Sequence, residues 1–515
     1  MYLTQAIHRA VQQGPDRAYT VCGDRLRTVV QSAERIALLA GALRDLGVAP
    51  GDRVGILAFN SDRYHEYLLA VPWADAVLNP INVRWSSAEI AYALLDSGTR
   101  VLLVDEAFTP MLPALREEAP NLLTVVFCGD GEGPAGTVEY EKMLSVAAPI
   151  EDARRGGDDL LGVFYTSGTT GSPKGVMLSH NNLLASAMGC LAAGSFVSEG
   201  GRYLNVAPMF HVAGLGGWAA AMLVDSSQVI LPVFSPAAVL AAIAEYRITD
   251  LLLVPTMLQM LMDAPEFAVA DLSSVSRVLY GASPISDQLL VRARNAFPAA
   301  GFIQGYGMTE LGGATTLLRP KDHDVSDLLR AAGRSAPHAE VCVMGLDDNE
   351  VPRGMVGEIA VRGDHVMLGY WERPAETARA LRGGWMHTGD IGYLDCYGYL
   401  FVVDRLKDMI VTGGENVFSA EVEKILAKHP GVVSCAVIGV PDDRWGERVH
   451  AVIVPRPGQS VTDDELRAFC RAQIAGYKVP RSLEYVDQLP LSGAGKILKH
   501  ELRERYWGDC ARQIG

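Results

Sequence analysis

One stretch of the chain concentrates groups that hold phosphate. Tyr165-Thr-Ser-Gly-Thr-Thr-Gly-Ser-Pro-Lys-Gly175 follows the apolar run Leu160 to Tyr165. The hydroxyls of Thr166, Ser167, Thr169 and Thr170 are donors, and Gly168 and Gly171 let backbone N–H groups approach an anion closely. Lys174 adds a positive charge. The loop is not a P-loop, because Ser172-Pro173 stands where that pattern needs a glycine directly before its lysine. A plain surface linker has no need of this density of donors after a buried strand.

Other residues with chemical capacity are scattered, and each has an ordinary reading when taken alone. His211 follows the apolar pair Met209-Phe210, where a histidine is usually a satisfied core residue. Glu310 after Thr309 would more often be a solvated acid. Asp390 and Arg405 would more often form surface salt bridges, and Lys496 in Ser492-Gly-Ala-Gly-Lys would be an exposed loop lysine. The eight cysteines contain no CxxC and the eleven histidines no HxxxH, so zinc-site spacing is absent.

The elements that must position these groups alternate. Arg53–Phe59 is a strand pattern followed by a helical Arg63–Ala76. A helix at 86–97 leads into a strand at 100–104, and the loop at 165–175 lies between a strand and a helix at 181–196. Ser235 is the expected N-cap of a helix to Tyr246, which feeds a strand at 250–254. Strands alternating with helices imply a largely parallel sheet covered on both faces, with ligand loops at strand ends. Past residue 335 the helical patterns thin out and short Gly-punctuated strands suggest a β-rich subdomain. After Asp404 the pattern becomes α+β: a helix at 419–428 with Glu421 and Glu423 in its first turn, strands at 432–440 and 448–454, a capping box at Thr462–Glu465 and a last helix at 497–506. The expected class is α/β: a large N-terminal domain (1–404, its β-rich part about 335–404), a hinge at 405–407 and a small mobile α+β domain (408–515).

Composition narrows the field. With 515 residues, 49% hydrophobic and 20% charged, the chain is an ordinary globular one of several domains. Its net charge of −15 makes it a poor general nucleic-acid binder. The N-terminal residues turn polar at once, so no secretory leader is expected. The longest apolar runs, 184–197 and 212–224, are too short to span a bilayer, so any membrane association is at most peripheral. Reduced thiols and a cytoplasmic location are the expectation, and a homodimer is compatible with the sequence.

In this sequence YTSGTTGSPKG (165–175), PMFHVAG (208–214), YGASPI (280–285), GYGMTE (305–310), GEIAVRG (357–363), WMHTGD (385–390), DRLKDMI (404–410), GGEN (413–416) and SGAGK (492–496) occur in that order. Together they resemble the adenylate-forming superfamily: acyl- and aryl-CoA synthetases, luciferase and the adenylation domains of peptide synthetases. The likeness runs from about residue 20 to 505. It implies ATP, Mg²⁺ and coenzyme A as participants and a small-molecule carboxylic acid as substrate. By resemblance, 166–174 cradles phosphate, and Thr309 and Glu310 contact the AMP phosphate and Mg²⁺. Gly281, Ala282 and Ser283 lie beside the adenine, with Gln304, Gly305 and Tyr306 as its other wall. Asp390 holds the ribose, and Arg405 lies near ribose and phosphate. His211 sits at the acyl pocket, Lys496 reaches the carboxylate and α-phosphate, and Lys407 is the hinge residue. Gly413 and Gly414 line the pantetheine tunnel, and Trp445, Tyr477, Lys478 and Arg481 fall where some relatives contact the CoA nucleotide.

Departures from the pattern sort the alternatives. Amino-acid-activating relatives usually carry Asp where His211 stands, which disfavours α-amino acids. Val411 stands where luciferase has a lysine for its second half-reaction. The reading is a two-step acid–CoA ligase, with a fatty acid first and a cinnamate- or benzoate-like acid next. An enzyme loading a separate carrier protein, a luciferase-like oxidase and a non-catalytic nucleotide binder are the alternatives. With 19 residues after Lys496, no fused carrier domain is expected, and the presence of both Glu310 and Lys496 speaks against lost catalysis.

Overall fold

A computed structural model describes residues 1–166, 173–193, 196–283, 285–413, 415–442, 444–458, 461–491 and 497–507. The chain divides into two compact units, Met1–Val341 with Val361–Met386, and Cys342–Ala360 with His387–Gly515.

The first unit is built on two sheets. One runs, edge to edge, through Arg334–Ser335, Gly313–Leu318, Gly301–Met308, Arg277–Gly281, Asp250–Leu252, Arg202–Asn205, Ser227–Ile230, Ala18–Cys22 and Arg25–Thr28. From Gly301–Met308 to Ala18–Cys22 every neighbouring pair is parallel, and antiparallel strands close both edges. The other sheet runs through Gly369–Tyr370, Lys174–Ser179, Leu160–Thr166, Val77–Pro80, Arg53–Leu57, Val101–Val104, Thr124–Phe127 and Val138–Glu139. Its strands are parallel from Leu160–Thr166 onward, and antiparallel at the Gly369 edge. The strands Arg53–Leu57, Val101–Val104 and Leu160–Thr166 are buried along nearly their whole length, as continuous apolar runs are in a parallel sheet.

Local signals start the helices. Ser179 and Asn182 form a reciprocal capping box at the head of His180–Ala192. The apolar run after His211 is a buried helix, Val212–Leu223. Ser235 does occupy the N-cap of Pro236–Tyr246, but its side chain makes no capping hydrogen bond, and Pro236 at the first position needs none for its missing N–H. Among the described residues no helix is long and apolar enough to cross a membrane, and no disulfide is present.

The second unit holds most of a four-stranded sheet of Glu340–Met344, Gly357–Arg362, Met386–Leu394 and Leu400–Arg405, and a five-stranded sheet centred on Gly446–Pro455. The core of the latter includes Val437, Ala451 and Leu466. The Thr462–Glu465 capping box forms as its spacing implies. The helix expected at 419–428 is Ser419–Leu426, with Glu421 alone in its acidic first turn. Glu423 lies a turn further in, where it has a buried partner described below.

Candidate active site

Strand ends of the first unit carry most of the nucleotide-site candidates. Arg277–Gly281 and Gly301–Met308 are parallel neighbours, with Gly281 in register with Gly305. A Cβ on Gly281 would lie 2.3 Å from the Gly305 carbonyl oxygen, so only glycine allows this approach. Ala282 follows at φ +63°, a left-handed conformation that costs a non-glycine residue energy. The strand therefore ends in a strained, over-determined turn at the position that the motif YGASPI marks. Tyr280 sets its base. The His323 ring contacts the Arg319 carbonyl through Nδ1 at 2.8 Å, which requires an N–H there and leaves Nε2 as acceptor for the Tyr280 hydroxyl at 2.9 Å. Burial pushes the His323 pKa down, so the ring stays neutral. Gln304 and Tyr306 lie on the adjoining strand.

Thr309 and Glu310 open a single 3₁₀ turn, Thr309–Leu311, closed by Gly312 at φ +59°. Glu310 is buried. The Tyr370 hydroxyl donates to its Oε1 at 2.9 Å, and the ammonium of Lys174 sits 5.4 Å from the Tyr370 ring centroid. Burial, with Glu310 adding to it, raises the Tyr370 phenol well above its ordinary value, so it remains a donor. Register explains the meeting. Tyr370 pairs with Val176 on the strand that Lys174 begins, and Met367 N–H donates to the Glu310 carbonyl. Tyr370 was not among the expected site residues. The signal for it is the run Gly369-Tyr370-Trp371, two aromatic residues after a glycine at φ +146°.

His211 is the N-cap residue of Val212–Leu223 and packs its ring on Phe210 at 4.4 Å. The small residues that follow divide by what surrounds them. A Cβ on Gly214 would lie 2.3 Å from the Pro208 carbonyl oxygen, and one on Gly217 2.0 Å from the Tyr203 hydroxyl. These two are packing glycines. Gly216 has nothing within 4 Å of where a Cβ would stand, so open space begins there.

In the second unit Asp390 and Arg405 are direct partners on antiparallel strands, joined by an ion pair at 3.1 Å. Glu358, from the motif GEIAVRG, fixes the turn ahead of Asp390. It accepts from Gly389 N–H at 3.0 Å and meets His387 Nδ1 at 2.9 Å. Thr388 Oγ1 accepts from Asp390 N–H and donates to the Ile359 carbonyl. Glu358 is a second residue whose role the sequence alone did not reveal. Lys407 lies in the turn Leu406–Asp408, where burial and then the Arg405 charge lower its pKa to about 8.

Gly413, Trp445 and Arg481 come together. Gly413 N–H donates to the Trp445 carbonyl, and a Cβ on Gly413 would lie 2.7 Å from the Trp445 ring. The guanidinium of Arg481 sits 4.4 Å from the indole centroid and that of Arg444 4.7 Å. Lys478 is instead paired with Glu421 at 2.7 Å, beside the Tyr477 ring. Ser167, Gly168, Thr169, Thr170, Gly171, Gly414 and Lys496 lie outside the described residues; Thr166 ends its strand, in register with Lys174.

Comparison with known proteins decides the family. A family model for AMP-binding enzymes matches residues 7–371, and one for the AMP-binding enzyme C-terminal domain matches 421–496. The chain belongs to the AMP-binding enzymes. This AMP-binding enzyme is 42% identical over 499 residues to a feruloyl-CoA synthase of Amycolatopsis sp, covering 97% of this chain and 98% of that one. It is 35% identical to the fatty acid–[acyl-carrier-protein] ligase ScoC of Streptomyces coeruleorubidus, covering 99% and 98%. The crystal structure of the anthranilate CoA ligase AuaEII in complex with anthranoyl-AMP superposes with a TM-score of 0.88 at 27% identity, covering 98% of this AMP-binding enzyme and 97% of that chain. The superfamily read from the motif order, in its acyl- and aryl-CoA ligase branch, is therefore the right one.

Proposed function

We propose that this AMP-binding enzyme is an ATP-dependent carboxylic acid–CoA ligase working in two steps. The carboxylate attacks the α-phosphorus of ATP, giving an acyl-adenylate and pyrophosphate. The CoA thiol then attacks the mixed anhydride, forming the thioester and releasing AMP. The observation that carries this reading is the Lys174–Tyr370–Glu310 group, a cation, a hydroxyl and a carboxylate, with Glu310 in the turn that directly follows the strand of Gly305.

The donor set fits Mg²⁺. Thr309 and Glu310 offer hard oxygens, and among the described residues no cluster of three or more His, Cys, Asp or Glu could cage a metal alone. Mg²⁺ characteristically takes one or two carboxylates and fills its shell with water and phosphate oxygens. When bound it would offset the negative charge of the triphosphate. Tyr370 orients the Glu310 carboxylate, Asp390 accepts from the ribose hydroxyls with Arg405 beside it, and His211 stands at the acid. Lys496 stabilises charge building on the carboxylate and α-phosphate. Residues 405–407 form the hinge between a domain of 1–404 and one of 408–515. Gly413, Gly414, Trp445, Tyr477, Lys478 and Arg481 receive CoA after the small domain turns.

For the acid, an aryl acid of the hydroxycinnamate type now stands ahead of a fatty acid. The feruloyl-CoA synthase is 42% identical and the fatty acid ligase 35%, each along nearly the whole chain. The space beside Gly216, five residues past His211, offers room for the acid. The test is AMP release with a panel of cinnamates, benzoates, fatty acids and α-amino acids, with and without CoA. CoA-dependent turnover of a cinnamate above all fatty acids supports the assignment. Turnover of fatty acids alone makes the second reading correct, and pyrophosphate exchange with α-amino acids alone overturns both.

A further inference from the structure

The proposed hinge runs through the interior of a packed unit. Strand Leu400–Arg405 lies before Lys407 and helix Ser419–Leu426 after it, yet the two pack on each other. The helix lacks a side-chain cap from its own N-cap residue, Phe418. Asp404 supplies one from across the hinge: its two carboxylate oxygens accept from the Ser419 hydroxyl at 3.1 and 2.8 Å, and one accepts from Ala420 N–H at 3.4 Å. Ser419 in turn accepts from the ammonium of Lys499 at 2.7 Å, and Lys499 pairs with Glu423 at 2.8 Å. Burial works against the Lys499 charge, and Glu423, Asp404 and Asp408 more than restore it. Lys499 heads the helix Lys499–Trp507, three residues beyond Lys496 in sequence.

A second ion pair makes the contrast. Asp408 and Arg503 meet at 2.7 Å, and both lie on the far side of Lys407. A turn about Lys407 carries that pair as one body. The same turn must pull Asp404 off Ser419, because those two lie on opposite sides of the rotating bonds. Breaking it strands a buried carboxylate and uncaps a helix, so the contact favours one pose of the small domain over the other.

We infer that Asp404, with Ser419 and Lys499, is a positioning latch across the hinge that must open once per catalytic cycle. This rests on the two-step reading above. The latch holds the small domain in the pose for one half-reaction and has to release for the other.

The test separates the two half-reactions: pyrophosphate exchange for adenylation, and thioester formation from synthetic acyl-adenylate and CoA. Asp404→Asn and Lys499→Met should each change the ratio of the two rates in the same direction by about tenfold or more, the scale of one lost charge-assisted hydrogen bond. Lys499→Arg should return the ratio toward that of the parent. Arg503→Met should leave the ratio unchanged, whatever it does to stability. In a Cys396→Ser, Cys510→Ser background, Asp404→Cys with Ser419→Cys is then cross-linked by oxidation. The cross-linked enzyme should run one half-reaction and lose the other about a hundredfold, with recovery on reduction. Cross-linked enzyme that runs both half-reactions, a pair that does not cross-link, or equal slowing of both steps by Asp404→Asn would overturn the latch. Failure of the ligase reading looks different: the uncross-linked parent would then lack both half-reactions with every acid, and the latch falls with it.

Discussion

The Tyr370 hydroxyl donates to Glu310 Oε1 at 2.9 Å, while the Lys174 ammonium lies 5.4 Å from the Tyr370 ring. One aromatic residue thus touches both a carboxylate expected at the metal and a cation expected at phosphate. Tyr370→Phe keeps the ring and removes only the donor. A hydrogen bond to a charged group is worth about 1.5–3 kcal/mol, so adenylation should slow by roughly ten- to a hundredfold, with the fold unchanged. Glu310→Ala should cost orders of magnitude. Pyrophosphate exchange across a Mg²⁺ titration checks both. A Tyr370→Phe enzyme that matched the parent at limiting Mg²⁺ would show that Tyr370 does not orient Glu310.

Glu358 offers a prediction in the second unit. It braces the His387–Gly389 turn, which presents Asp390. Gly389 has φ +69°, so the turn depends on glycine and on the acceptor that receives its N–H. Glu358→Ala removes that acceptor and loosens Asp390 without touching the reacting atoms. The expected signature is a raised KM for ATP with kcat nearly held, since ribose binding is lost about equally in ground and transition states. A fall in kcat at constant KM would place Glu358 in the chemistry instead.

How much of this was legible follows from what carries each signal. Part of the parallel core could be read because strands such as Val101–Val104 and Leu160–Thr166 are continuous apolar runs, whereas Arg202–Asn205 and Ser227–Ile230 carry polar residues and could not be. The capping box at Thr462 could be read because it is local. Tyr370 could not, because its meeting with Glu310 depends on an antiparallel edge pairing between segments almost two hundred residues apart. Glu358 belonged to a quoted motif, but its partners lie on a different strand. Glu423 looked like first-turn charge, and only the arrival of Lys499 from the last helix shows it to be a buried partner. Sequence alone could not tell Gly217, pressed on Tyr203, from Gly216, beside open space.

That last contrast can be tested directly. Gly217→Ala would drive a methyl group into the hydroxyl of Tyr203, a residue 1% exposed with little room to move. Overpacking of this kind costs roughly 1–3 kcal/mol. Gly216→Ala should instead raise stability by up to about 1 kcal/mol, because glycine is a poor residue inside a helix. Gly216→Leu should leave the fold intact and raise KM for the preferred acid while KM for ATP stays put. Thermal denaturation and steady-state kinetics on the three variants decide the matter. Equal destabilisation by the Gly216 and Gly217 changes would mean that no open space exists there.

Acid stability should be limited by histidines before carboxylates. Burial lowers the pKa of His65, His180, His323, His338, His365 and His450 below the ordinary 6.5, to about 3 for His65 and His365 and about 4 for His180. The sign follows from proton counting. Between the folded and unfolded pKa values the unfolded chain binds protons that the native one refuses, so stability rises with pH there and falls as pH drops from about 6.5. Each such proton is worth about 1.4 kcal/mol per pH unit. Asp62 acts later. Its partners Arg25 and Arg27 overcome burial and hold its pKa near 2, so its contribution is present above the ordinary 3.8 and disappears as pH falls toward 2. The melting temperature should therefore begin to fall near pH 6.5 and steepen toward pH 5, well above the carboxylate range. His323→Gln, which keeps a hydrogen-bonding side chain but cannot titrate, should flatten the onset by one proton's share. A melting temperature constant from pH 7 down to pH 5 would show that these rings are not held neutral by the fold.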